Sequence, residues 1–144
     1  MSEPKKIYVA SSWRNKYQPI VVKVLKEHGY EVYDFKDSKG FSWNDIDTEW
    51  LDWSSKEYIT GICHPAADKE FNRDMNALKW CDVCIMVMPC GMSASLETGW
   101  AVGAGKKVSI YIPALREPDL MIKMADLITE DFSEIIEWLK FLKG

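Results

Sequence analysis

Apolar and polar positions along the chain alternate between two periods, and the order of those periods predicts the architecture. Lys6 to Ala10 is a short β-rich run, followed by the polar loop Ser11-Ser12-Trp13-Arg14-Asn15. From Pro19 the residues Ile20, Val21, Val24 and Leu25 recur at helical spacing until Gly29, a fitting helix stop. Glu31 to Phe35 reads as a second strand. Residues 36–61 are irregular and tryptophan-rich, with a short helix expected over 48–58. A helix over 66–80, a strand over 83–88 and a helix over 93–104 that stops at Gly105 follow. The pattern ends with strands over 108–112 and 126–129 and an amphipathic helix over 132–142.

Alternating strands and helices build a parallel sheet with helices on both faces. No repeat, linker or low-complexity tract interrupts the series, so residues 1–144 are expected to form a single domain. Right-handed crossovers lead to an α/β fold with a flavodoxin-like, doubly wound, five-stranded parallel sheet of order 2-1-3-4-5. Ligands of such sheets bind beyond the carboxyl ends of the strands, at the switch point between strands one and three. The loops there are Ser11–Asn15 and Pro89–Ser95, and function is sought in them first.

Composition narrows the classes. The chain has 144 residues, 47% hydrophobic and 28% charged, a soluble globular balance. No stretch approaches the ~20 apolar residues of a membrane span, and no apolar run follows the first residues, so neither membrane insertion nor a signal peptide is expected. A net charge of −4 argues against a nucleic-acid polymer as partner, while small nucleotides need only one or two local cations. Cys63, Cys81, Cys84 and Cys90 lack a second pair at zinc spacing, and Cys81 ends a helix where a redox thiol would begin one. They read as reduced thiols, three of them in or beside a buried strand, of a cytoplasmic protein that uses no metal.

Several motifs fail. The run from Gly99 to Lys107 has Trp100 where a P-loop needs its first glycine, and Lys107 where it needs Ser or Thr. Val108 takes the third glycine position of a dinucleotide fingerprint. Gly99 and Gly103 are instead expected to allow close helix–sheet packing, with Gly105 capping the helix. His28 is assigned to the helix end beside Gly29, and His64 is weighed as a pocket residue.

Two acids stand where acids are costly. Asp74 is flanked at helical spacing by Phe71, Met75 and Leu78, an expected apolar stripe. Glu97 shares a face with Ala94, Ala101 and Ala104, which points it inward, and is expected in the first helical turn, where the dipole favours a carboxylate. The structural alternative gives each acid a backbone or arginine partner such as Arg73 or Arg14. Paired carboxylates suit chemistry at an anomeric carbon, one attacking and the other handling the sugar or protons.

Ile7-Tyr8-Val9-Ala10-Ser11, Asp74-x-x-Ala77-Leu78-x-x-x-Asp82-Val83 and Leu96-Glu97-x-Gly99-Trp100-Ala101-x-x-x-Gly105-Lys106-x-Val108 resemble the nucleoside 2-deoxyribosyltransferase family. That superfamily includes nucleoside 5′-monophosphate N-glycosidases and is distantly similar to Toll/interleukin-receptor-type NAD glycohydrolases. The resemblance implies Glu97 as nucleophile, Asp74 as assisting acid and Tyr8 as the hydroxyl that orients the nucleophile. It implies a nucleoside or nucleotide substrate, no cofactor, and a homodimer or higher oligomer. The transferases carry an Asp six residues before the nucleophile, and this chain has Gly91 there. Ser93 and Ser95 stand near the serine of the monophosphate enzymes.

Ser11, Ser12, Arg14 and Asn15 lead towards a helix amino end, which favours an anion, and Ser93 and Ser95 are expected to face them. Gly91 completes the expected substrate-binding set. The Trp-rich segment around Trp43, Trp50 and Trp53 reads as a lid, a base-stacking wall or a satellite cluster. Its aromatics and the closing helix (Ile135, Ile136, Trp138, Leu139) are the expected subunit contacts. The rival reading is a non-catalytic nucleotide-binding or signalling module on the same fold.

Overall fold

Five parallel strands pair in the order β2-β1-β3-β4-β5, as the alternation of periods requires. They are β1 (Lys6–Ala10), β2 (Glu31–Tyr33), β3 (Val83–Val87), β4 (Lys107–Tyr111) and β5 (Leu127–Thr129). The helices are α1 (Gln18–Glu27), α2 (Ser55–Gly61), α3 (Pro65–Trp80), α4 (Met92–Gly103) and α5 (Phe132–Phe141). The computed structural model describes residues 5–37, 41–114 and 116–142. The opening residues 1–4, where a signal peptide was sought, and residues 38–40 of the irregular segment lie outside the described residues.

The chain divides into two compact units, one from Met1–Asp34 with Trp80–Gly144 and one from Phe35–Lys79. The first junction coincides with the start of the tryptophan-rich segment, and α3 itself runs through the second. The first unit holds the whole sheet. Side chains alternate across each strand, so Ile7, Val9, Val83, Ile85 and Val87 share one face. They pack with Val21, Val22 and Leu25 of α1 and Ile135, Ile136 and Leu139 of α5 in a single core. Tyr8, Cys84, Met86, Val108 and Ile110 occupy the other face, where α4 packs against β1, β3 and β4. Gly29 and Gly105 stop α1 and α4 with positive φ of 87° and 80°, where glycine lacks the steric penalty of a side chain. His28 serves the end of α1, its Nδ1 lying 2.9 Å from the Val24 carbonyl.

Several local expectations are corrected. The short helix lies over Ser55–Gly61, because Ser54 and Glu57 form a reciprocal capping box that fixes its start. Before it come two 3₁₀ turns, Trp43–Asp45 and Trp50–Asp52. Phe71 is exposed, so the stripe on α3 narrows to the buried Ala77 and Leu78 and half-buried Met75. A Cβ on Gly99 or Gly103 would meet nothing within 4 Å, so neither glycine serves close packing against the sheet. Ala104 is exposed, and the face of α4 that does meet the sheet is Ala94, Thr98 and Ala101. Ile135, Ile136 and Leu139 are buried in their own core and present no surface to a partner. No helix among the described residues is long and apolar enough to cross a membrane.

The second unit has its own aromatic cluster. Trp43 packs edge-on against Phe41 and Trp53, and Trp53 Nε1–H donates to Asp47 Oδ2 at 2.8 Å. That bond holds the Asp47 carboxyl below its ordinary range. His64 lines a shallow groove beside Trp53, and its Nδ1 accepts the Ala66 N–H at 3.0 Å.

Candidate functional site

The two loops at the switch point are tied together by side chains of the first. Ser11 Oγ donates to the Val87 carbonyl at 2.8 Å. Asn15 Nδ2 donates to the carbonyls of Val87 and Pro89, at 3.1 and 2.9 Å. Asn15 Oδ1 accepts the N–H groups of Tyr17 and Gln18, at 2.7 and 2.9 Å. Pro19 has no N–H, so the amino end of α1 has little left to offer an anion. Asn15 is buried, Ser12 half-buried and Arg14 exposed.

The amino end of α4 differs. Gly91 precedes it with no side-chain cap, Ser93 is exposed, and Ser95 Oγ donates to the Gly91 carbonyl at 3.1 Å. Uncapped amide N–H groups and the helix dipole favour negative charge there. The anion-favouring terminus is therefore that of α4 rather than α1. Glu97 itself sits in the second turn of α4, because the helix begins at Met92 and no acid lies in its first turn. The expected dipole contribution to Glu97 falls accordingly.

Helical spacing sets the direction of Glu97. Ala94, Thr98 and Ala101 meet the sheet, while Ser95, Gly99 and Val102 line a cavity over β4. Glu97 projects from the opposite flank, towards β1, and is half-buried. Tyr8 stands on β1 on the same face of the sheet, buried, with its ring stacked on Tyr33 at 5.1 Å. Asp74 belongs to the other unit, half-buried on α3, where its neighbour Arg73 pairs with Glu70 at 2.8 Å. Two other acids of the first unit serve backbone: Asp82 accepts Lys6 N–H and Asp126 accepts Val108 N–H.

Burial raises the Cys84 thiol, with Cys81 and Glu97 adding to the rise. Burial also raises Cys90, which Arg116 opposes and Glu97 reinforces. Cys81 is pushed up to about 11, chiefly by burial. None of the four cysteines forms a disulfide; Cys81 and Cys84 are buried, Cys90 half-buried and Cys63 exposed. Among the described residues no group of three or more His, Cys, Asp or Glu side chains is placed to hold a metal.

The cavity of about 350 Å³ beside α4 was missed in the sequence. Met86, Met88, Met121 and Met124 line it, with Arg116 and Asp119 at its polar edge. It exists because the β4–β5 connection carries only the 3₁₀ turn Leu120–Met124 in place of a helix. The weak helical periodicity of residues 113–125 was the available signal.

The chain is similar to two solved structures. One is a 2-deoxyribosyltransferase from the psychrotolerant bacterium Bacillus psychrosaccharolyticus, at 25% identity and TM-score 0.58, over 90% of this chain and 89% of that one. The other is a CMP N-glycosidase from Clostridium botulinum, at 19% identity and TM-score 0.55, over 95% of this chain and all of that one. Both are members of the nucleoside 2-deoxyribosyltransferase-like superfamily that the sequence resembles. No family model and no curated protein matches the chain in sequence.

Proposed function

We propose that the chain is an N-glycosidic-bond enzyme acting on a small nucleoside or nucleotide, with Glu97 as nucleophile. The observation that carries this reading is the placement of Glu97 on the β1-facing flank of α4, beside the switch point and behind an uncapped helix end. The likeness to a 2-deoxyribosyltransferase and a CMP N-glycosidase supports the same reaction class.

In the proposed reaction the ionised Glu97 carboxylate attacks C1′. The C1′–N bond breaks, its electron pair leaves with the base, and a glycosyl ester forms. Asp74 assists as the acid that positions the sugar or handles the proton taken up by the base. Tyr8, buried against Tyr33, orients the nucleophile. Water or a second base then attacks C1′ and releases Glu97, with net retention. Gly91 and Ser93 bind a substrate phosphate at the amino end of α4, where Ser95 holds the Gly91 carbonyl, and Ser12 and Arg14 approach from the first loop. Ser11 and Ser95, whose hydrogens go to the Val87 and Gly91 carbonyls, accept a hydrogen bond from a sugar hydroxyl. The enzyme works in the cytoplasm as at least a homodimer.

A panel of nucleosides, nucleotides and NAD, read by chromatography for released base, tests the proposal. Glu97→Ala should abolish release and Asp74→Asn should leave a trace. Arg14→Ala should raise KM for a 5′-phosphorylated substrate far more than for its nucleoside. Wild-type turnover by Glu97→Ala refutes the mechanism. Thermal shifts without base release leave a non-catalytic nucleotide-binding module instead.

A further inference from the structure

We propose that Asn15 is a positioning residue whose carboxamide clamps the β3–α4 loop to the β1–α1 loop and thereby sets where α4 presents Glu97. The inference rests on the proposed role of Glu97. Asn15 is only 4% exposed, and its amide is fully engaged. Both hydrogens go to the carbonyls of Val87 and Pro89, and both acceptor directions take the N–H groups of Tyr17 and Gln18. It therefore has no capacity left for a substrate, although its place in the first loop suggested a phosphate ligand.

Capping α1 requires only the acceptor oxygen, which Ser, Thr or Asp supplies as well. The two donated bonds are what Asn adds, and they fall on the segment that runs from the end of β3 into α4. The Met88 N–H also ties that segment to the Tyr111 carbonyl, at 3.0 Å, but through backbone alone. Ser11 Oγ shares the Val87 carbonyl, and α4 has no side-chain cap of its own. Glu97 rides on the same helix one turn further on, so a shift of the loop moves the carboxylate with it. Displacing a reacting group by about 1 Å can cost about 100-fold in rate.

Asn15→Asp separates the two roles, because it keeps the acceptor that caps α1 and loses the donors to Val87 and Pro89. Asn15→Ser keeps a capping oxygen without a new charge and, with one donor on a shorter side chain, cannot make both loop bonds, should the aspartate variant fail to fold. Amide hydrogen exchange is measured alongside kcat and KM. Exchange should quicken over residues 90–96 while β1 and α5 keep the protection of the parent. The expected kinetic change is a kcat about 10- to 100-fold lower with KM within about threefold. Unchanged exchange over 90–96 overturns the clamp whatever the activity. A raised KM at unchanged kcat also overturns it, since that pattern belongs to a substrate ligand. Parental kcat despite faster exchange shows that the clamp does not set Glu97. If the parent releases no base from any substrate, the proposed function fails, and the exchange result still decides whether Asn15 holds the loop.

Discussion

Gly61→Ala should destabilise the Trp-rich unit, although the same substitution ordinarily strengthens a helix. A Cβ at Gly61 would lie 2.3 Å from Trp53 Cη2 and 2.5 Å from Cζ3, far inside the ~3.5–4.0 Å of favourable carbon contact. The indole cannot simply withdraw. Its Nε1–H is held by Asp47 at 2.8 Å, and its ring meets Trp43 edge-on at 5.8 Å. Overpacking of this kind costs about 1–3 kcal/mol, whereas replacing glycine within a helix contributes about 1 kcal/mol of propensity. The net expectation is a loss of about 1 kcal/mol, with a span from near zero to 2. Gly103→Ala is the control, because its Cβ meets nothing within 4 Å and only the favourable propensity remains. Thermal unfolding followed by near-ultraviolet circular dichroism reads both variants. A second comparison places Gly61→Ala in a Trp53→Leu background, where the smaller side chain relieves the clash and the alanine becomes neutral or stabilising. Stabilisation by Gly61→Ala alone, equal to that of Gly103→Ala, refutes the claim that Trp53 is fixed beneath α2.

Ser109→Ala should raise Tm by about 2–4 °C, because the Ser109 hydroxyl is fully buried without a hydrogen-bond partner on the apolar face beside Ile85 and Leu127. A lower Tm would reveal a partner for that hydroxyl. With a disulfide-exchange reagent at pH 8, exposed Cys63 should react first, and Cys81 and Cys84 only after denaturation, since burial shields them and raises both thiols. Rapid labelling of all four cysteines in the folded protein would contradict their placement. Light scattering at micromolar concentration should give at least a dimeric mass. Exposed Tyr58 and half-buried Trp138 remain candidate contacts, since Ile135, Ile136 and Leu139 are buried, and a monomeric mass refutes the association.

The sheet was legible because its strands are short apolar runs separated by helical periods, and both patterns follow from which faces are buried. Gly29 and Gly105 marked their helix ends because positive φ is a local requirement. The 41–61 segment was less legible because its order comes from side chains meeting across turns. Trp53 finds Asp47 and Trp43, and only the Ser54–Glu57 capping box leaves a local signature. The outward position of Gly99 and Gly103 was hidden for a related reason. Small residues on a helix show where close approach is possible, and only the packed structure shows which flank a neighbour occupies.

The site shows the same division between residue type and direction. Periodicity identified Glu97 as an acid close to a buried helix face, and the structure sets it on the flank beside that face, turned towards β1. Its turn within α4 was miscounted, because Glu97 falls beyond the first 3.6 residues from the expected start at Ser93 as well as from the observed one at Met92. The first loop teaches more. Its polar residues looked interchangeable as anion ligands, yet Asn15 and Ser11 bind the neighbouring loop and Arg14 faces solvent. Hydrogen-bonding capacity is finite, so a donor that fixes the scaffold is not also available to the ligand. The α1 terminus, which looked like the anion site, is closed by Asn15, and the α4 terminus stays open because Gly91 has no side chain with which to close it. An open helix end on the same helix as the proposed nucleophile would suit a substrate that carries both an anion and a sugar.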